Sequence, residues 1–218
     1  LVVDAISGLG AVDLKTDAWG VDVVVAGSQK GLMLPPGLGF ICLSPGAWKL
    51  VEASKSSRYY LDLRKAKKAL DKNDTPFTSS ITLIIALNEA LKLMRQDGLE
   101  SIFKRHRSMA DATRAAMGAL GLELFAPLAA SDGVTAVKVP AGIDGEKLVK
   151  TMRDTYGVTI AGGQDELKGK VFRIAHMGFI AESDIIMGLS CLEKVLTQMG
   201  YKFTLGAGIR AAEEVFLK

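Results

Sequence analysis

The chain has 218 residues, of which 49% are apolar and 23% are charged, and this ordinary composition suits one large globular domain or two small ones. Its net charge of +3 is spread along the sequence, which indicates neither nucleic acid nor an acidic membrane surface as a partner. Two distant cysteines cannot build a disulfide framework, so a reducing, cytoplasmic compartment is expected, and no metal site is predicted.

The chain begins at Leu1 without a methionine, inside an apolar run that favours a strand, and it carries no signal-peptide pattern. We therefore expect the sequence to be a piece of a longer protein. The apolar run at residues 81–87 is too short for a membrane span, because Asn88 and Glu89 follow it directly.

Short β-branched runs bounded by turn residues predict three strands in the first part of the chain, each buried on both faces. They lie at residues 1–3, 21–26 and 38–43. After the third strand, residues 48–54 suit a short helix or a loop.

The next stretch, residues 55–78, is polar and irregular, and its lysines between Lys65 and Lys68 indicate a solvated loop. From Ser80 onward the apolar residues recur at the spacing of one helix face. That face carries Leu83, Leu87, Leu91 and Met94.

Gly98 interrupts the helical pattern, and we place a boundary there between a large domain at residues 1–98 and a small domain at residues 99–218. The small domain opens with a predicted helix at residues 99–120, and its alternating pattern then predicts an α+β unit. The predicted strands are residues 122–125, 134–139, 158–161 and 171–175, and the further helices are residues 144–156 and 183–199.

Two polar residues follow predicted strands at their carboxyl ends, Asp4 after the first strand and Lys30 after the second. Ligands of open α/β sheets bind at this edge. A carboxylate and an amine delivered there suit pyridoxal 5′-phosphate (PLP), whose aldehyde forms a Schiff base with lysine and whose protonated pyridine nitrogen needs a carboxylate. On the residues alone, an ordinary ion pair or two solvated charges stay open as alternatives.

The surrounding sequence resembles the cofactor segment of class V, fold type I, PLP-dependent aminotransferases of the alanine/serine–glyoxylate group. The resemblance rests on VDAISGLGAVDLKTDAWGVDVVVAGSQKGLMLPPGLGF, with an Asp before a small-residue turn, a Gly-Val-Asp strand, Gly-Ser-Gln-Lys and Pro-Pro-Gly. It implies an α/β fold, namely the C-terminal part of the fold type I large domain followed by a small α+β C-terminal domain. The implied cofactor contacts are Lys30 as the Schiff-base lysine, Asp4 on the pyridine nitrogen, Ile6 against the ring and Gln29 on the phosphate.

Two further segments extend the resemblance over nearly the whole chain. TPFTSSITLIIALNEAL is similar to the family segment that reaches into the neighbouring subunit, which implies a homodimer in which Thr78 and Thr75 contact the phosphate of the partner's cofactor. VFRIAHMG resembles the small-domain strand with the substrate arginine, so Arg173 is expected to bind the substrate carboxylate through two parallel hydrogen bonds. Gly162 and Gly163 match a turn of the same domain.

The implied reaction is transamination from an amino acid such as serine or alanine to a 2-oxo acid such as glyoxylate. Lys30, displaced by the amino acid, moves the proton of the substrate α carbon as general base and acid. In the family, the N-terminal part supplies further cofactor contacts. We therefore expect the 218 residues alone to bind PLP weakly and to show little or no activity.

Two other functions stay open at this stage. One is a cysteine desulfurase or another PLP lyase of the same fold, although desulfurases carry His before the Schiff-base lysine, where this chain has Gln29. Neither Cys42 nor Cys191 lies in a segment that resembles the mobile catalytic loop of desulfurases. The other is an inactive fragment that dimerises. Each site residue also has a structural alternative, as a solvated lysine, an ion pair, a helix cap or a turn residue.

The histidines and cysteines complete the set of reactive side chains. His106 lies in a basic run, Lys104 to Arg107, that favours the solvated face of a helix. His176 closely follows the substrate arginine and either approaches the substrate pocket or packs elsewhere. Cys42 is expected in the core of a strand and Cys191 in the core of a helix.

Overall fold

The computed structural model describes all residues from 1 to 218, and they form two compact units. The first unit contains Leu1–Leu9 and Asp13–Asp97, and the second contains Gly10–Val12 and Gly98–Lys218. Three residues near the start of the chain therefore pack with the second unit, although their neighbours on both sides belong to the first. The division into a large domain at residues 1–98 and a small domain at residues 99–218 stays a prediction.

The first unit is built on a three-stranded sheet in the order β1-β2-β3. Strand β1 (Val2–Asp4) is parallel to β2 (Val23–Gly27), and β2 is antiparallel to β3 (Gly39–Leu43). Asp4 lies opposite Val25 in this register. Because β1 and β2 run in the same direction, the residues that follow them leave the sheet at the same edge.

Three helices complete the first unit: α1 (Pro45–Ala53), α2 (Leu63–Leu70) and α3 (Ile81–Asp97). The expected solvated loop is wrong for α2, which begins where the Asp62 carboxylate accepts a hydrogen bond from the backbone N–H of Arg64 at 3.0 Å. This cap fixes the first turn, and the Lys-, Ala- and Leu-rich sequence after it favours a helix. The lysines of this helix are exposed, as expected for a solvated charge run.

Much of the apolar surface of the first unit faces solvent in this chain. Strand β2 alternates buried and half-buried residues, but β1 and β3 are largely exposed, so the expected burial on both faces is wrong for these two strands. On the predicted apolar face of α3, Met94 is buried and Leu91 is exposed. Ile81 and Ile85 of the same helix are also exposed.

The second unit packs helices against an antiparallel sheet in the order β4-β6-β5. Its elements in chain order are α4 (Leu99–Ala119), β4 (Val134–Lys138), α5 (Gly145–Tyr156), β5 (Ala161–Gly162), a 3-10 turn (Asp165–Leu167), β6 (Val171–Ala175), α6 (Glu182–Gln198) and α7 (Ala207–Phe216). Phe172 on β6 is fully buried at the centre of the core, together with Leu148 and Met152 of α5 and Leu192 and Leu196 of α6.

Three features of this unit differ from the sequence prediction. Residues 122–125 form only one isolated bridge, between Leu124 and Val137, and the strand predicted at residues 158–161 is reduced to Ala161–Gly162. Helix α7 was not predicted, because its first turn contains glycine and its cap comes from the distant Glu193. None of the helices is long and apolar enough to cross a membrane.

Candidate active site

Lys30 is exposed on a loop that the buried side chain of Ser28 holds closed. The Ser28 hydroxyl donates a hydrogen bond to the Pro35 carbonyl at 2.7 Å and accepts one from the backbone N–H of Leu38 at 3.2 Å. The backbone N–H of Ser28 donates to the Leu38 carbonyl at 3.1 Å. One serine thus joins the end of β2 to the start of β3 and fixes the base of the lysine loop.

The loop itself is a tight turn with a strained residue. The backbone N–H of Met33 donates to the Lys30 carbonyl at 3.0 Å, and that of Leu34 donates to the Ser28 carbonyl at 3.1 Å. Met33 has a φ of 65°, a left-handed conformation that costs a non-glycine residue roughly 1–2 kcal/mol. Such strain persists only where surrounding contacts impose it, and it concentrates at ligand sites.

Asp4 ends β1, and its carboxylate is exposed. One carboxylate oxygen, Oδ1, accepts a hydrogen bond from the backbone N–H of Ile6 at 2.9 Å, which fixes the side chain at the start of the turn. The backbone N–H of Ala5 donates to the Val25 carbonyl at 2.8 Å and extends the pairing of β1 with β2 by one residue. Asp4 and the lysine loop therefore leave adjacent parallel strands at one edge of the sheet.

Ile6 and Gln29 flank these two residues in the chain. Ile6 is half-buried, and Gln29 is exposed. The Gln29 side chain folds back over the end of β2, where a Cβ at Gly27 would lie 2.6 Å from its Oε1 atom. The amide is thus close to the backbone at the carboxyl end of the strand.

Thr75 and Thr78 are both exposed, in the segment that leads into α3. The backbone N–H of Thr75 donates to the Asp74 carboxylate at 2.7 Å, and its hydroxyl donates to the Phe77 carbonyl at 2.8 Å. Thr75 therefore shapes the turn itself, whereas Thr78 follows that turn before the helix begins.

Arg173 lies in the second unit, on the central strand β6, and is half-buried. Its Nε and Nη2 atoms both donate to the Gly162 carbonyl, at 3.0 and 2.8 Å. A guanidinium has five N–H donors, so this contact orients the group and leaves donors for a carboxylate.

The two histidines are both fully buried, and the expectation of a solvated His106 is wrong. The basic run around it misled the prediction, because its neighbours Lys104 and Arg107 are exposed while His106 points into the unit. His176 Nδ1 lies 2.6 Å from the Asp132 carbonyl, and its Nε2 lies 2.9 Å from the Thr135 hydroxyl. Burial lowers the pKa of His176 to about 4.

One of the two cysteines is buried as expected and the other is not. Cys191 on α6 is buried, as predicted, but Cys42 on β3 is exposed, which corrects its placement in a strand core. The strand itself is present, and the error follows from the open faces of β3. Sequence reasoning also missed Ser28, although a small hydroxyl at the end of a buried strand commonly bonds the backbone of the next loop.

The chain is similar to known proteins along its whole length. The sequence profile described as aminotransferase class-V matches residues 1–179. The chain is 48% identical to the "soluble hydrogenase 42 kDa subunit" of Anabaena cylindrica, over 99% of this chain and 57% of that protein. It is 39% identical to the L-aspartate–glyoxylate aminotransferase of Paracoccus denitrificans, over 98% of this chain and 54% of that protein. Among solved structures, the ureidoglycine–glyoxylate aminotransferase of Bacillus subtilis superposes with a TM-score of 0.94 at 30% identity, over 100% of this chain and 57% of that one.

The chain thus spans little more than half the length of these relatives. The structural likeness confirms the predicted α/β fold, which is the C-terminal part of a fold type I PLP-dependent aminotransferase. The profile match covers Asp4, the loop that carries Lys30, and Arg173. The chain belongs to the aminotransferase class-V family, whose members depend on PLP.

Proposed function

We propose that this chain supplies the lysine-bearing part of an aminotransferase that transfers the amino group of an amino acid to a 2-oxo acid. The observation that carries the proposal is the position of Asp4 and Lys30 in the sheet. Asp4 ends β1 and Lys30 follows β2, and these adjacent parallel strands end at the same edge. The donor set fits PLP, because the cofactor needs one amine for its aldehyde and one carboxylate for its pyridine nitrogen. Both side chains are exposed and therefore accessible to a ligand.

Each residue of the first unit has a distinct proposed role. Lys30 Nζ holds the cofactor, and Asp4 keeps the pyridine nitrogen protonated. Ile6 packs against the ring, and Gln29 contacts the phosphate. When bound, PLP acts as an electron sink for the negative charge on the substrate α carbon. Lys30 Nζ would remove the proton from that carbon as a general base and would return a proton as a general acid.

Substrate recognition is proposed for Arg173. Its contact with the Gly162 carbonyl uses Nε and one N–H of Nη2, so Nη1 and the second N–H of Nη2 remain for the two oxygens of the substrate carboxylate. A planar guanidinium suits this task, since it binds both oxygens of a carboxylate in parallel. We propose glyoxylate as the acceptor, since the names of two of the relatives above include it, and serine or alanine as the donor.

We further propose a homodimer in which Thr75 and Thr78 contact the phosphate of the cofactor held by the partner subunit. The support is the exposure of both threonines in the segment that leads into α3. We also propose a cytoplasmic location, because the two cysteines, Cys42 and Cys191, are free thiols, which suits a reducing compartment.

The experiment is a transamination assay on the complete natural polypeptide that contains these 218 residues, with PLP, glyoxylate and a panel of amino acids. Glycine formation from glyoxylate that is lost in Lys30→Arg would support the proposal. Lys49→Arg is a matched control, because Lys49 is an exposed lysine of α1. No glycine with any donor, or equal activity in Lys30→Arg, would contradict it.

A further inference from the structure

His106 on α4 is fully buried and joins two segments that are distant in the sequence. Its Nδ1 lies 3.1 Å from the carbonyl oxygen of Ala11. On the other side of the ring, the backbone N–H of Gly178 donates to Nε2 at 3.1 Å, and the Gly178 carbonyl lies 3.4 Å from the same atom.

These contacts assign a hydrogen-bond role to each nitrogen of the His106 ring. The Ala11 carbonyl can only accept, so Nδ1 donates to it. Nε2 accepts from the backbone N–H of Gly178. The tautomer with its proton on Nδ1 satisfies both partners.

The first of these segments, Gly10–Val12, packs with the second unit although it lies between two parts of the first. Ala11 is only 1% exposed, and Gly10 is buried with a φ of 76°. The segment directly continues the turn that begins after Asp4. His106 is thus a side chain of the second unit that holds the continuation of the cofactor turn.

The other segment follows β6, the strand that carries Arg173. Gly178 is buried and has a φ of 81°, in the turn between β6 and α6. Arg105, the residue before His106, has its Nη1 atom 3.5 Å from the Ile180 carbonyl in the same turn. The start of α4 therefore fixes the chain that continues from the proposed substrate arginine.

We propose that His106 is a positioning residue for Arg173, which ties the turn after the Arg173 strand to the Gly10–Val12 segment through one imidazole within the second unit. This inference rests on the proposed role of Arg173. Recognition of the substrate carboxylate requires Arg173 to be held in place, and a misplacement of about 1 Å can cost on the order of a hundredfold in rate. His106 itself is not expected to touch the substrate.

Two substitutions separate the two ends of the bridge. In His106→Gln the amide reaches the position of Nε2, so the contact with Gly178 is kept and the one with Ala11 is lost. In His106→Asn the amide reaches the position of Nδ1, so the contact with Ala11 is kept. Thr135→Val is the matched control: Thr135 is also buried, and its hydroxyl is hydrogen-bonded to His176 and not to Gly10–Val12.

The first test uses nitrogen-15 NMR on the 218-residue chain, which contains only two histidines and needs no cofactor for this purpose. We expect the Nδ1 atom of His106 to carry a proton. We also expect the backbone of Gly10–Val12 to gain motion in His106→Gln but not in His106→Asn or Thr135→Val. A proton on Nε2, or unchanged order of Gly10–Val12 in His106→Gln, overturns the inference.

The second test measures kcat and KM of the complete natural polypeptide with PLP. His106→Gln should lower kcat/KM by about tenfold or more, whereas Thr135→Val should change it by no more than about twofold. Equal losses in both variants would reduce His106 to an ordinary core residue. An inactive wild-type protein would instead refute the proposed function, and with it the positioning role, even if the NMR result confirmed the bridge.

Discussion

The Arg173 guanidinium is held by the carbonyl of Gly162, to which its Nε and Nη2 atoms donate at 3.0 and 2.8 Å. The carbonyl belongs to β5, which is hydrogen-bonded to β6 as the edge strand of the sheet. The orientation of the proposed substrate arginine therefore depends on a two-residue strand and on the turn that follows it.

Gly163 is the position where this turn is most sensitive to substitution. A Cβ there would lie 2.0 Å from the Leu167 carbonyl oxygen, so Gly163→Ala must displace backbone. We expect a loss of about 1–3 kcal/mol in the free energy of unfolding, measured by urea denaturation. Gly188→Ala is the control, because a Cβ at that position of α6 meets nothing within 4 Å. This substitution should raise the free energy of unfolding by about 0.5–1 kcal/mol. Equal effects of the two substitutions would contradict the close approach.

Ser28→Ala should loosen the loop that presents Lys30. It removes the partner of the Pro35 carbonyl and of the Leu38 N–H at a fully buried position, which we expect to cost about 1–3 kcal/mol of unfolding free energy. Ser57→Ala, at an exposed serine, should change that free energy by less than about 0.5 kcal/mol. If urea denaturation gives the two variants the same stability, the Ser28 hydroxyl does not hold the loop.

Glu193 is a buried carboxylate that caps α7 from a distance. Its oxygens accept the backbone N–H groups of Gly206, of Gly208 at 2.9 Å and of Ile209 at 3.1 Å, at the positive end of the helix. Glu193→Ala leaves these donors unpaired and should cost about 2–4 kcal/mol of unfolding free energy. Glu213→Ala, at an exposed residue of the same helix, should be nearly neutral. The measurement is thermal or urea unfolding of both variants. A loss of unfolding free energy in Glu193→Ala no larger than that in Glu213→Ala would contradict the capping role of Glu193.

The buried His176 predicts an acid dependence of stability. Burial lowers its pKa from 6.5 to about 4, with the Arg114 guanidinium and His106 acting in the same direction and the Asp132 carbonyl and carboxylate opposing them. The unfolded chain therefore binds the proton more readily than the folded one. The contribution of His176 to the free energy of unfolding is fully present above pH 6.5. It is lost as the pH falls towards 4, by about 3 kcal/mol in total.

The measurement is the unfolding free energy of the wild type and of His176→Gln between pH 4 and 7. The wild-type curve should lose stability through this range more steeply than the variant, because the variant has no group at this position to titrate. Parallel curves would show that the acid sensitivity arises elsewhere.

The residues at the carboxyl ends of the strands were predictable because a local pattern carries them. Apolar runs placed β1 and β2; Asp4 directly follows the first run, and Lys30 lies four residues after the second. The same pattern placed Arg173 on β6 and Cys191 in α6. In these cases the sequence pattern of one strand or helix was enough to predict where the side chain lies.

The errors concern residues whose position depends on distant parts of the chain. His106 lies among charged neighbours, and only the fold brings Ala11 and Gly178 to its ring. Helix α7 depends on the carboxylate of Glu193, which is remote in sequence. Cys42 would be buried only if another element covered β3. Periodicity within one segment contains none of this information.

The most direct test of the account is the covalent site of the cofactor. The complete natural polypeptide is incubated with PLP and reduced with borohydride, and the pyridoxyl-modified peptide is mapped by mass spectrometry; the 218-residue chain, which we expect to bind PLP weakly, is treated in parallel. We expect one modified residue, Lys30, in the complete polypeptide, and no specific label in Lys30→Arg. Modification at another lysine, or a scattered label over the exposed lysines, would contradict the assignment of Lys30 as the residue that holds the cofactor.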